Sequence, residues 1–123
     1  MVFDELSNKI IGLAIKVHKN LGPGLLEKTY QKCLEYEILK AGIPVQCELL
    51  VPVIYESVNI DCGFRIDMLV DNSLILELKN VESLQPIHIS QIMTYLKLTG
   101  KKTGLLINFN SAILKEGIKR VVM

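Results

Sequence analysis

From Val45 to Lys79 apolar residues recur at every second position, and this run limits the possible folds more than any other feature. Val45, Cys47, Leu49 and Val51 alternate with Gln46, Glu48 and Leu50. Pro52 marks a bend or an edge, because proline cannot donate to a strand ladder. Val53-Ile54-Tyr55 leads to a turn at Glu56-Ser57. The alternation resumes at Val58, with Ile60, Cys62, Phe64, Ile66, Met68 and Val70 expected on one face. Asn59, Asp61, Gly63, Arg65, Asp67 and Leu69 fall on the other. Asp71-Asn72-Ser73 signals a second turn, and Leu74 to Lys79 reads as a third strand carrying Ile75, Glu77 and Lys79 on one side.

The period on either side of this meander is helical. Phe3, Leu6, Ile10, Leu13, Val17 and Leu21 are spaced by threes and fours, the stripe of an amphipathic helix ending at Gly22-Pro23-Gly24. A second helix spans about Leu25 to Lys40, stopped by Gly42 and Pro44. Pro86 is suited to a first helical position and opens a third helix, running to Leu98 and stopping at Gly100. Thr103 to Phe109 is continuously apolar, as in a strand buried on both faces. Ile118 to Val122 is a short edge strand. Helices combined with a mixed sheet make an α/β (α+β) domain. With 123 residues, half of them hydrophobic, there is material for one core, so residues 1–123 are expected to form a single domain.

Charge narrows the partners. The net charge of +1 excludes an indiscriminate polyanion coat. It also hides an asymmetry: residues 1–96 carry eight Lys/Arg against twelve Asp/Glu, and residues 97–123 carry six against one. Cys33, Cys47 and Cys62 have no zinc spacing and are expected to be reduced thiols of a cytoplasmic protein. The N-terminus lacks a basic leader, and no apolar run is long enough for a membrane span.

Asp67 and the Glu77-Leu78-Lys79 trio carry the most chemistry. Two carboxylates and an ammonium on one sheet face suit metal-assisted phosphodiester cleavage, because hard oxygen ligands hold Mg²⁺ while leaving room for water and phosphate. Asp67 and Glu77 share a face only if their loop has an odd number of residues, closed by Val70 opposite Leu74. A two-residue loop would instead place Asp67 opposite Leu76. Glu27 lies within about 20° of Leu34 and Ile38 on the helical wheel, so it is expected to point toward the apolar face. Gln91 and Tyr95 are four apart and share a face of the third helix, with His88 one turn earlier. His18, ahead of the Gly-Pro-Gly turn, reads as structural.

Together these residues resemble the small GxxExxY proteins. Gly24-Leu25-Leu26-Glu27-Lys28-Thr29-Tyr30 matches their signature, and His18, Asp67, Glu77-Leu78-Lys79, Gln91 with Tyr95, and Leu106-Ile107-Asn108-Phe109 follow in the same order. That family is grouped with the PD-(D/E)xK nuclease-like superfamily. The resemblance implies a restriction-endonuclease-like core: helix, three-stranded meander, helix and strand, with an extra N-terminal helix. It implies Mg²⁺ or Mn²⁺ held by Glu27, Asp67, Glu77 and the Leu78 carbonyl, with Lys79 positioning the attacking water. Gln91 and Tyr95 resemble the Q-x-x-x-Y element of RecB-like nucleases. Ile66 stands where the superfamily's name has proline.

The function expected is a metal-dependent nuclease acting on DNA or RNA, with Lys97, Lys101, Lys102 and Arg120 contacting phosphates. The competing expectation is a non-catalytic nucleic-acid-binding or assembly module that retains the fold. So apolar a short chain also raises a homodimer or larger assembly.

Overall fold

The computed structural model describes residues 4–123, apart from the side chains of residues 61 and 62. Phe3 and the Cys62 thiol, both read from the sequence, lie outside the described residues. The elements are α1 (Glu5–Leu21), α2 (Glu27–Lys40), β1 (Val45–Tyr55), β2 (Val58–Val70), β3 (Leu74–Lys79), α3 (Pro86–Thr99), β4 (Thr103–Asn108), a 3₁₀ turn at Leu114–Gly117, and β5 (Ile118–Val122). The strands form one five-stranded sheet in sequence order. All neighbours are antiparallel except β3 and β4, which run parallel because α3 carries the chain back to the start of the sheet.

Helices cover both faces. Ile10, Ala14 and Val17 of α1 and Tyr30, Leu34 and Ile38 of α2 pack on Met68, Val70, Leu74, Leu76, Leu78, Leu105 and Ile107. On the opposite face Ile92 and Leu96 of α3 pack on Ile66, Leu69, Ile75 and Leu106. Burial on both faces explains the unbroken apolar run of β4. The stripe of α1 is rotated from the expected one. Ile10, Ala14 and Val17 are buried, Leu13 is half-buried and Leu21 is exposed, so the stripe runs through Ala14 and not Leu13. Asp4 caps α1 by accepting from the Ser7 N–H at 2.8 Å.

The meander turns as its sequence signals. Pro52 lies in an edge strand, at a register shift between Val51 and Val53. Glu56 and Ser57 both take positive φ, which closes β1 onto β2 as a two-residue hairpin. Met68 pairs with Leu76 and Val70 with Leu74, leaving a three-residue loop. The alternation expected along β2 fails at one point: Ile66 packs beneath α3, whereas Met68 and Val70 pack beneath α1 and α2. β1 makes the same exchange between Cys47 and Leu49. Between them Glu48 has φ 54°, a left-handed conformation that costs roughly 1–3 kcal/mol for such a residue. Both strands therefore change faces at Glu48 and Asp67. Cys33 and Cys47 are free, and burial, followed by Glu35, pushes the Cys47 thiol up to about 12.

Candidate active site

The β2–β3 ladder ends at Met68 and Leu76. The next two residues across the pair are Asp67 and Glu77, as the odd loop requires. The backbones separate here, and the side chains bridge the gap. Asp67 Oδ2 accepts from the Leu78 N–H at 2.9 Å, and Glu77 Oε1 accepts from the Asp67 N–H at 3.3 Å. Each carboxylate thus replaces a missing ladder acceptor on the other strand, and the two are fixed side by side in the fork.

Glu77 is 6% exposed. Burial raises its proton affinity first and the neighbouring Asp67 charge raises it further, to about 8. Asp67 is likewise raised, chiefly by burial. Lys79, two residues along β3 on the side of Glu77, acts in the opposite sense on both carboxylates. Among the described residues the ion pairs are Lys16–Glu37, Lys28–Glu48 and Arg120–Asp4, so Lys79 is not locked to an acid. Two desolvated carboxylates held side by side, with the Asp67 charge raising the proton affinity of Glu77, suit a hard divalent cation, which would relieve their repulsion. Asp67, Glu77 and the adjacent Leu78 carbonyl would be the donors to such an ion.

Of the expected α3 residues, Tyr95 lies within electrostatic reach of the carboxylate pair. Tyr95 stacks on Phe64 with ring centroids 4.4 Å apart and planes within 6°. Its hydroxyl is held above the usual phenol range by burial and then by the charges of Glu77 and Asp67. Gln91 lies one turn earlier and is exposed. His88 is committed to the helix start, where its Nδ1 accepts from the Gln85 N–H at 2.9 Å.

Glu27 departs from expectation. It is exposed in the first turn of α2, and the helix meets the core only from Tyr30 onward. Its Oε1 accepts from the Asn80 N–H at 3.1 Å, immediately after Lys79. Among the described residues no three of His, Cys, Asp and Glu gather closely enough to hold a metal, so Glu27 stands at the rim and outside the Asp67–Glu77 pair. His18 is a buried structural residue, tilted against Phe109 at 6.3 Å.

The expected phosphate contacts are dispersed. Lys101 and Lys102 precede β4 and line a hollow of about 220 Å³ with Asn72 and Asp4. That hollow is at the Leu74 end of β3, about 17 Å of strand from Lys79. Arg120 is paired with Asp4 at 2.7 Å, and Lys97 is exposed on α3. Sequence reasoning missed Lys119. Glu77 pairs with Leu106, and Leu106 pairs with Lys119, which puts Lys119 two strands from Glu77, about 10 Å across the sheet. Glu48 was missed as well. It adds negative charge beside Asp67, while Lys28 at 2.5 Å and Gln31 at 3.2 Å anchor its carboxylate and lower its proton affinity. The Glu56-Ser57 turn alone would set Glu48 opposite Arg65, and the register shift between Val51 and Val53 brings it opposite Asp67, which is why the sequence did not signal it.

A mixed sheet between helices, forked at a carboxylate pair with a lysine two residues beyond, has the architecture of the restriction-endonuclease-like fold. The chain belongs to the PD-(D/E)XK nuclease superfamily, whose model matches residues 4–121. Among solved structures it is similar to an alkaline exonuclease from Laribacter hongkongensis, at 15% identity and a TM-score of 0.47, over 99% of this chain and 72% of that one. A search of curated proteins finds no match. No helix among the described residues is long and apolar enough to cross a membrane.

Proposed function

We propose that this nuclease-like domain hydrolyses phosphodiester bonds of DNA or RNA with the help of Mg²⁺ or Mn²⁺. The observation that carries this reading is the fork: Asp67 and Glu77 fixed side by side by strand hydrogen bonds, with Lys79, in no ion pair among the described residues, two positions along β3. A bound divalent ion would acidify water and stabilise charge developing on the phosphate. Asp67, Glu77 and the Leu78 carbonyl hold the ion, and Glu27 supports it from the rim. Lys79 orients the attacking water and offsets negative charge at the phosphate. Gln91 assists Lys79, and Tyr95 offers a hydroxyl to the sugar–phosphate backbone. Lys119 is the basic residue on the sheet position in line with Glu77.

The test is a Mn²⁺ titration of the wild type and of Asp67→Ala, paired with cleavage assays on single-stranded, branched and duplex substrates. Saturable Mn²⁺ binding lost in Asp67→Ala, together with metal-dependent product, supports the reading. Absence of binding in the wild type refutes it. Nucleic-acid binding without any product supports a non-catalytic module instead. Self-association would draw on the apolar surface of the β1–β2 hairpin, where Leu50, Ile54, Tyr55 and Val58 are exposed. A monomer by light scattering at micromolar concentration removes that reading.

A further inference from the structure

We propose that Asn108 is a positioning residue for the candidate site: its buried side-chain amide fixes the turn after Lys79, and that turn holds Glu27 in place. The inference rests on the metal-site reading only for the last link, from Glu27 to the ion.

β3 ends at Lys79, whose carbonyl accepts from the Phe109 N–H at 2.9 Å. Beyond it the chain leaves the sheet, and the Val81 peptide groups lose their ladder partners. Asn108 supplies both. Its Oδ1 accepts from the Val81 N–H at 3.1 Å, and its Nδ2 donates to the Val81 carbonyl at 2.9 Å. A primary amide is suited to this because it carries a donor and an acceptor on one planar group. Asn108 is 2% exposed, so water does not compete for these bonds. The same Oδ1 also accepts from the Asn110 N–H at 3.3 Å, and Asn110 Nδ2 donates to the Val81 carbonyl at 3.2 Å.

Asn80 lies between the two fixed points, Lys79 and Val81. Its N–H donates to Glu27 Oε1 at 3.1 Å, and its Nδ2 donates to the Leu25 carbonyl at 2.6 Å. A continuous chain of hydrogen bonds therefore runs from the end of β4, through the turn, to the first turn of α2. Glu27 is exposed, and the hydrogen bond from the Asn80 N–H gives it a direction. Removing the Asn108 amide strands the Val81 N–H and leaves its carbonyl only the longer bond from Asn110, so the turn must move toward water to satisfy the N–H. Asn80 moves with it.

Two measurements test this. Amide hydrogen exchange requires no metal. Asn108→Ala should speed exchange at both Val81 and Asn80 by about tenfold or more, whereas Glu27→Ala should speed it at Asn80 alone. Unchanged exchange at Asn80 in Asn108→Ala overturns the proposal. In a Mn²⁺ titration, Asn108→Ala should weaken binding by about tenfold or more, as for other outer contacts of metal ligands. It should have no further effect once Glu27 is alanine, and additive losses overturn the route through Glu27. If Asn108→Ala fails to fold, Asn108→Ser carries both measurements, since it keeps a polar group but its one hydroxyl cannot replace both amide bonds to Val81. A folded wild type that binds no Mn²⁺ refutes the metal reading, while the exchange pattern still decides whether Asn108 holds Glu27.

Discussion

Replacing Glu77 by glutamine should make the metal-free protein more stable at neutral pH. Burial and the Asp67 charge raise the Glu77 carboxyl from 4.5 to about 8 in the folded chain. Below pH 4.5 it is protonated in both the folded and the unfolded state and costs nothing. Between 4.5 and 8 the unfolded chain ionises freely while the folded chain resists, so stability falls as pH rises, and above 8 the full cost applies. A tenfold change in proton affinity is about 1.4 kcal/mol, which gives a cost of about 3 kcal/mol at pH 7 and about 5 kcal/mol above pH 8. Glutamine keeps an oxygen for the Asp67 N–H and carries no charge. The assay is guanidinium unfolding of both proteins in EDTA at about pH 4, 7 and 8.5. The variant should gain about 3 kcal/mol at pH 7, on the order of 10 °C in Tm, and almost nothing at pH 4. A saturating divalent ion should erase or reverse the gain, because only the wild type binds it well. A variant less stable than wild type at pH 7, or a gain independent of pH, would refute the reasoning.

Other consequences can be checked separately. Gly63→Ala places a Cβ on the Val51 carbonyl across the hairpin, so thermal unfolding should show a loss of about 1–3 kcal/mol. Leu34→Ala opens a cavity beneath α2 at a fully buried position and should cost about 2–5 kcal/mol by denaturant titration. Asp4→Ala removes both the cap of α1 and one ion-pair partner of Arg120, with an expected loss of about 1 kcal/mol. If nucleic acid is the substrate, Lys119→Ala should lower the slope of log affinity against log salt by about one, and Lys101→Ala should leave it unchanged.

The helices, the strands and their order could be read from the sequence because each has its own hydrophobic period and its own breaker. The register between Asp67 and Glu77 could be read only as a condition. Loop parity permitted two pairings, and the paired acids came together only in the three-residue loop. Glu27 shows where a helical wheel fails. The wheel gives direction around the axis but not where along it the core begins, and α2 meets the core only from Tyr30 onward. Arg120 and Lys119 are adjacent in sequence and point to opposite sides of β5, so a pairing register with β4 was needed to choose between them. The exchange of faces at Asp67 was hidden for a similar reason. Both Ile66 and Met68 are buried, one on each side of the sheet, so the apolar pattern continues unbroken through the change.

The fork divides the duties of its two acids at the level of single atoms. Asp67 Oδ2 and Glu77 Oε1 serve as surrogate strand carbonyls. Side-chain length is therefore set twice, once by the backbone amide it must reach and once by any ligand it must meet. Exchanging aspartate and glutamate between the two positions preserves charge and composition, yet moves both anchors by a methylene in opposite directions. A conservative double swap here is a change of scaffold as much as of site, and should impair folding and ligand binding together.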